Sequence, residues 1–260
     1  MKYDTGSCRI LEKQQLTVDI YDVTVDAGKL ALLAKPGQFV HVLVPGHTLR
    51  RPISICGIDR AANTLRLVFQ VRGEGTAQLA ALNCGDSIDL LAPLGRGFSL
   101  GNTGRKVLFV GGGIGVPPLL EAAKPFGENA AVVLGFRSRE AVILKEDFER
   151  NGNRVQIATD DGSLGHHGLV TDCMEALAAE HFAFEEVFAC GPAPMLKAVS
   201  RAAERLGVPC QVSMEQRMAC GVGACLGCAV KLRREDGGEY YGHVCKDGPV
   251  FRAHDIVWED

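Results

Sequence analysis

Four of the ten cysteines stand in a pattern that can do chemistry. Cys220, Cys225 and Cys228 are spaced C-x4-C-x2-C within the stretch Met-Ala-Cys-Gly-Val-Gly-Ala-Cys-Leu-Gly-Cys at 218–228, and Cys245 follows after sixteen intervening residues. This is the plant-type spacing of a 2Fe-2S cluster. Two irons need four thiolates; three on one tight loop let the chain wrap the cluster, and a fourth from a separate segment closes the cage. Gly221, Gly223 and Gly227 permit turns that a Cβ would obstruct and bring amide N–H groups toward the sulfurs. Zinc is the competing metal, but zinc modules usually present two C-x-x-C knuckles, and Cys245 has no second cysteine near it. Disulfides fit less well, since a 260-residue chain can build its own core and shows no secretory leader. Unrelated buried thiols would not produce the spacing.

Composition narrows the partners. The formal net charge of −3, with no long basic run, argues against nucleic acid. The longest apolar runs, at 107–110 and 130–136, are far too short to cross a bilayer, so no membrane role is expected. A reducing cytoplasm is the expected compartment, and ten cysteines without an even framework of spacings fit it.

The elements that must position the cysteines begin with a β-rich region over 1–100. Segments 38–44, 64–71 and 87–91 read as short strands between turn residues, with no convincing helix before 76–82, which indicates a small antiparallel barrel. Two groups within it are candidate sites. Arg50-Arg51-Pro52-Ile53-Ser54-Ile55 joins a guanidinium suited to phosphate, a fixed-φ proline and a hydroxyl at the start of a strand; alone it is equally a surface turn. Gly73-Glu74-Gly75-Thr76 precedes the helical stretch, where glycines make a backbone cradle for phosphate and Thr76 is either a ligand or an ordinary N-cap.

Over 101–209 strand and helix alternate, the signature of a doubly wound parallel sheet. Strands are expected at 106–110, 131–135, 154–158 and 187–189, and helices at 116–124, 171–180 and 193–206. Gly111-Gly112-Gly113-Ile114-Gly115 follows the first strand, where a pyrophosphate would meet a helix N-terminus. The match to G-x-G-x-x-G is incomplete, because Val116 stands where the last glycine would fall, and no acidic residue is an obvious ribose partner. Cys190-Gly191-Pro192 lies at the carboxyl edge of a later strand, so Cys190 is either a small buried hydrophobe or a cofactor contact. Arg137 and Arg139, after the second strand, are either surface arginines or partners for a 2′-phosphate. The last segment, 210–260, carries the cysteine loop and a hairpin of 228–232 with 238–241; His243 is expected on the face away from Cys245, and His166-His167 at the surface.

In order along the chain, Arg51-Pro52-Ile53-Ser54, Gly73-Glu74-Gly75-Thr76, Gly111-Gly112-Gly113-Ile114-Gly115, Thr159-Asp160-Asp161-Gly162-Ser163-Leu164-Gly165 and Cys190-Gly191-Pro192 resemble the ferredoxin-NADP reductase superfamily. Within it, Met214-Glu215-Gln216-Arg217-Met218-Ala219-Cys220-Gly221-Val222-Gly223-Ala224-Cys225 is similar to the electron-transfer subunits of heteromeric, NAD-linked dihydroorotate dehydrogenases. The resemblance implies three parts: an FAD-binding barrel, an NAD-binding α/β domain and a small 2Fe-2S segment. Arg51, Pro52, Ile53 and Ser54 would line the flavin and its phosphates, Gly75 and Thr76 would hold the diphosphate, and the backbone of Val68, Phe69 and Gln70 would run along the FAD. Gly111, Gly112, Gly113 and Gly115 would approach the NAD pyrophosphate, with Cys190 and Gly191 near the nicotinamide. No dihydroorotate or FMN site is recognisable, so the resemblance also implies an FMN-containing catalytic partner, in a heterotetramer of two copies of each. Two alternatives remain at this point: a flavin subunit serving ferredoxin, sulfide or hydrogenase chemistry, and a non-catalytic zinc-stabilised module.

Overall fold

The structure, a computed structural model, describes residues 3–180 and 182–258. Strands β1 (Asp4–Gln15), β2 (Ile20–Asp26), β3 (Phe39–Leu43), β4 (Arg51–Asp59), β5 (Thr64–Gln70) and β6 (Ser87–Leu94) close a barrel in the order β1-β2-β5-β4-β3-β6. Every neighbouring pair is antiparallel. The cause is a period-2 apolar pattern: Val23 and Val25, Val40 and Val42, Ile53 and Ile55, and Leu65, Leu67 and Phe69 all turn into one core. Helices α1 (Lys29–Leu33) and α2 (Glu74–Ala81) lie between the strands. β1 and β2 carry the weaker sequence signal, since in β1 only Cys8 and Ile10 are buried across its twelve residues.

The second unit is a seven-stranded sheet built from β7 (Val107–Gly112), β8 (Ala130–Phe136), β9 (Arg154–Thr159), β10 (His166–His167), β11 (Val187–Cys190) and β12 (Cys210–Ser213), with a seventh strand from the chain's end. These six pair in parallel, in the order β10-β9-β8-β7-β11-β12. Helices α3 (Pro117–Ala123), α4 (Lys145–Arg150), α5 (Val170–Ala179) and α6 (Ala193–Arg205) connect them. Val107 to Val110 are 0% exposed, as a parallel strand covered on both faces requires. Phe109 stacks on Phe188 at 4.8 Å and meets Phe126 edge-on at 5.8 Å, filling one face of the sheet. The first strand runs on through Gly111 and Gly112, so the glycine turn proper is the single 3-10 turn Gly113–Gly115, and prolines 117 and 118 open α3.

The chain's end is woven into both units. Hairpin β13 (Ala229–Arg233) with β14 (Glu239–His243) leads to β15 (Val250–Arg252), which pairs antiparallel with β12 as the seventh strand. Cys228, Val230 and Leu232 share a core with Phe39 and Leu94 of the barrel and Val212 of the sheet. The barrel and sheet are joined elsewhere by Arg66 of β5. Its guanidinium donates to the Asp22 carboxylate of β2 at 2.6–3.1 Å and to Asp147 of α4 at 2.6 Å. Across the same junction, Glu121 of α3 accepts the Ile58 amide at 3.1 Å, where β4 breaks register between Ile55 and Gly57. Among the described residues no helix is long and apolar enough to cross a membrane.

Candidate functional site

The cysteine loop hangs between two fixed points, the end of β12 and the hairpin. Cys228 and Cys245 are buried with their sulfurs 3.3 Å apart, Cys220 is half-buried and Cys225 exposed. The amides of Val222, Ala224 and Cys225 donate to Cys220 Sγ at 3.5, 3.2 and 3.4 Å. Gly223 N–H donates to Cys245 Sγ at 3.1 Å, and Cys245 N–H to Cys228 Sγ at 3.5 Å. Those bonds have an electrostatic consequence. Desolvation raises the Cys220 thiol, but the amide donors outweigh it and bring it down to about 6. Burial, followed by the adjacent Cys228 sulfur, pushes Cys245 up to about 12. Gly221 at φ +73° and Gly223 at φ +84° make the turns possible, and a Cβ on Gly223 would stand 2.7 Å from Lys246 Cδ. Among the described residues the side chains form no closed metal-binding group, but three of the four thiols, Cys220, Cys228 and Cys245, already accept amide N–H bonds, which suits sulfide-bridged irons whose ligand sulfurs accept such bonds. His243 is turned to Asp247, with Nδ1 3.6 Å from its carboxylate.

A cleft of about 1140 Å³ runs between barrel and sheet. Pro52, Ser54 and Gln70 form its barrel wall; Gly112, Gly113, Gly115, Cys190 and Gly191 line the carboxyl edge of the sheet opposite. The segment from Ser213 to Met218, which leads into the cysteine loop, lines the same cleft. Strand alternation explains which candidates face it. Ile53 and Phe69 turn into the barrel core, and Val68 packs in the layer between barrel and sheet, so only the main chain of these three is available to a ligand. Gln70 is held by Asp19, to whose carboxylate its Nε2 donates at 2.6 Å.

Two motifs far apart in sequence meet at the start of α2, although Arg51, Gly75 and Thr76 are not among the residues that line the cleft. A Cβ placed on Gly75 would lie 2.7 Å from Arg51 Nε, so the guanidinium rests directly on the glycine backbone at the start of α2. Arg51 also lies 3.1 Å from His47 Nδ1 and donates to the Leu49 carbonyl. Thr76 is the third residue of α2, and its hydroxyl accepts from the Arg72 and Gly73 amides at 2.8 and 3.2 Å. It therefore caps the helix from inside the first turn rather than from the N-cap position.

On the sheet side the glycines have different duties. Gly113, at φ +53° with open space around its Cβ position, presents its main chain to the cleft. Gly115 permits close packing, because a Cβ there would be 2.6 Å from the Cys190 carbonyl carbon and oxygen. Gly111 is buried behind the turn, beside Val116 and Leu119. Cys190 is only 7% exposed and burial pushes its thiol up to about 12, so it meets the cleft as a neutral, uncharged surface.

Arg137 lines the cleft, whereas Arg139 donates from Nε and Nη2 to the Ser163 carbonyl at 3.1 and 2.8 Å and is committed to that loop. Glu140 and Asp160 stand in the cleft wall with Asp19 and Glu215; sequence reasoning assigned none of the four a ligand role, and Glu140 and Asp160 are the pair on the nucleotide side. They follow two different strands and converge only in the folded sheet. His166 and His167 are exposed, as expected.

Comparison with known proteins bears on the same residues. The family model for the iron-sulfur cluster binding domain of dihydroorotate dehydrogenase B matches residues 215–257, a span that holds all four loop cysteines. Across 97% of its length the chain is 40% identical to the electron transfer subunit of dihydroorotate dehydrogenase B (NAD(+)) from Fusobacterium nucleatum subsp. nucleatum, covering 98% of that protein. It is 44% identical to the subunit of the same name from Bacillus caldolyticus, over 91% of this chain and 92% of that one. Among solved structures, an NADH-dependent reduced ferredoxin-NADP oxidoreductase superposes with a TM-score of 0.86 at 31% identity, covering 98% of this chain and 91% of that one. A ferredoxin NADP+ reductase from Neisseria gonorrhoeae, with bound FAD and NADP, shares the fold at a TM-score of 0.65 and 17% identity, over 78% of this chain and 92% of that one. With near-complete coverage at 40–44% identity, the chain belongs to the family of electron transfer subunits of NAD-linked dihydroorotate dehydrogenase B.

Proposed function

We propose that the chain carries electrons released by dihydroorotate oxidation on the FMN of a separate catalytic subunit, by way of a 2Fe-2S cluster on its cysteine loop and FAD on its barrel, to NAD+ in the cleft. When bound, the cluster supplies one-electron transfer, the nicotinamide takes only hydride, and the flavin converts between the two. The observation that carries this reading is continuity: one cleft is bounded by flavin-side Pro52 and Ser54, by nucleotide-side Gly113 and Cys190, and by Met218 at the threshold of the cysteine loop.

The chain's own residues bind and orient. Arg51, resting on Gly75, offers a fixed guanidinium beside the α2 N-terminus for the FAD diphosphate. Pro52 and Ser54 face the flavin ring, with Ser54 Oγ as a hydrogen-bonding group for its polar edge, while the main chain of Ile53, Val68, Phe69 and Gln70 runs alongside. Thr76 keeps the α2 start in shape rather than touching phosphate with its hydroxyl. The Gly113 turn takes the NAD pyrophosphate, supported by Gly111, Gly112 and Gly115, and Cys190 with Gly191 gives the nicotinamide an apolar seat. Cys220, Cys225, Cys228 and Cys245 hold the irons. A reducing cytoplasm suits ten cysteines that are all free. A heterotetramer of two copies of each subunit is the assembly in which we place the chain.

An anaerobic visible spectrum of the complex isolated with its catalytic subunit tests the reading. Dihydroorotate alone should bleach both flavin and cluster bands, and added NAD+ should then restore them as NADH forms. Bleaching by NADH but none by dihydroorotate would assign the chain to a ferredoxin-type complex instead, the chemistry of its 31%-identical structural neighbour. A colourless protein with stoichiometric zinc would overturn the redox reading entirely.

A further inference from the structure

His41 is a fully buried polar side chain that none of the roles above employs. It stands in the middle of β3 at 0% exposure, and neither ring nitrogen has a hydrogen-bond partner among the described residues. In either protonation state an imidazole carries at least one ring N–H that can donate. Buried polar groups are paired as a rule, and an orphaned one points to a missing partner.

The position of the ring shows where that partner lies. Val40 and Val42 turn into the barrel core, so His41 turns outward, toward the layer where Phe39 and Leu94 meet Cys228 and Cys245. A Cβ on Gly221 would stand 2.5 Å from His41 Nδ1 and 3.1 Å from Cε1, which places the imidazole against the turn immediately after Cys220. The main chains of Arg50 and Cys220 lie near the ring, short of hydrogen-bond geometry. On its other side His41 is the cross-strand partner of Pro52, and such partners project from the same face of a sheet. One residue therefore touches the cluster loop and stands beside the residue that lines the flavin side of the cleft.

From this geometry we infer that His41 is a positioning residue for electron exchange between cluster and flavin: its ring N–H holds the Cys220–Gly221 turn against β3, the strand paired with β4, when the irons are in place. The inference rests on the function proposed above. Residue 41 exchanges no electron and forms no covalent bond. It fixes the orientation of the first cluster ligand relative to the flavin strand, in the way that outer hydrogen bonds to metal ligands do. A phenylalanine of similar volume would fill the space without supplying the N–H, so volume alone does not account for histidine here.

The test uses the heteromeric holoenzyme and two variants, His41→Phe, which keeps the ring, and His41→Asn, which keeps a donor. Iron and acid-labile sulfide, the EPR line shape of the reduced cluster, and anaerobic stopped-flow traces after NADH addition are recorded for each. The expected result for His41→Phe is full cluster content, an altered EPR line shape, unchanged NADH-to-flavin reduction, and flavin-to-cluster transfer slowed about tenfold. His41→Asn should recover most of that rate. Wild-type spectra and transfer rate in a fully loaded His41→Phe protein would overturn the inference. If His41→Phe does not load, His41→Asn decides: full loading and near-wild-type transfer uphold the inference, and failure to load or a loss of rate rejects it. Wild-type protein lacking acid-labile sulfide would sink the functional reading itself, a result distinct from a loaded cluster indifferent to residue 41.

Discussion

The two ends of the proposed electron path are built by opposite means. At the cysteine loop, side-chain atoms would do the binding: four sulfurs, three of which accept five amide N–H bonds, on a turn whose outer edge carries exposed Cys225 and Leu226 at 61% exposure. At the nucleotide turn the side chains are absent. Gly111 to Gly113 and Gly115 let the main chain approach ligand and neighbours, and the rigidity comes from β7, β8 and β11, which are buried on both faces. A ligating loop can be loose because the metal organises it, whereas a backbone cradle must be organised beforehand by what packs behind it. The first end should therefore fail through loss of an atom, and the second through gain of one.

The largest effect expected from this contrast is at Cys225. Cys225→Ser removes a thiolate without disturbing any core, because the residue is exposed. Cluster content and dihydroorotate-to-NAD+ electron flow should fall to background, while NADH still reduces the flavin, as read by iron and sulfide analysis and anaerobic spectra. Undiminished flow from dihydroorotate would show that the route bypasses the loop. Next in size is Gly115→Ala, whose new Cβ would lie 2.6 Å from the main chain of Cys190 and Gly191, which cannot swing aside. Overpacking of this kind costs about 1–3 kcal/mol, so the Kd for NADH should rise about ten- to hundredfold with the cluster fully loaded. Titration of NADH against flavin absorbance measures it.

The same contrast explains what was legible in the sequence. Cysteines at C-x4-C-x2-C announce their chemistry because the ligating atoms belong to the named residues and the spacing is local. The strands β3, β5, β6, β7, β8, β9 and β11 were legible from apolar runs and period, while β12, as long as β11 but with Gln211 and Ser213 breaking its apolar run, and three-residue β15 show neither signal. Arg51 against Gly75, His41 against Gly221, and Glu140 with Asp160 in one wall were not legible at all as groupings. Each is a meeting of residues that only the closed barrel or the parallel sheet brings together. Thr76 shows a finer limit: the motif is local, but whether its hydroxyl serves a ligand or the helix depends on the Arg72 and Gly73 amides turning back toward it.

Barrel and sheet also meet through the Arg66 bridge, and a third change tests it. Arg66 bridges Asp22 of the barrel and Asp147 of α4, and the Asp22 side chain is only 9% exposed. Arg66→Met would keep most of the stem and leave two carboxylates without their shared cation. Removing one partner of such a buried pair costs about 3 kcal/mol. Denaturant unfolding should show that loss, and the two ends should weaken together, through poorer flavin retention, rather than one by one.

The smallest effect expected is at Gly112, and it is the sharpest comparison because it repeats the Gly115→Ala chemistry three residues away. Gly112 has φ −129°, a conformation open to any residue, so alanine brings no backbone strain. Its Cβ would stand 2.4 Å from Met195 Sδ and 3.2 Å from Pro192 Cδ. A methionine can rotate its thioether away, so the cost should stay below about 1 kcal/mol, against the larger loss where the obstacle is main chain. NADH affinity within about fivefold of wild type, measured by the same flavin titration, is the expected outcome. Loss as deep as in Gly115→Ala, with Met195 free to move, would mean that the bare backbone of Gly112 itself meets the ligand. The cradle would then extend one residue further back along β7, and the turn would be built for contact at two glycines rather than for contact at one and packing at the other.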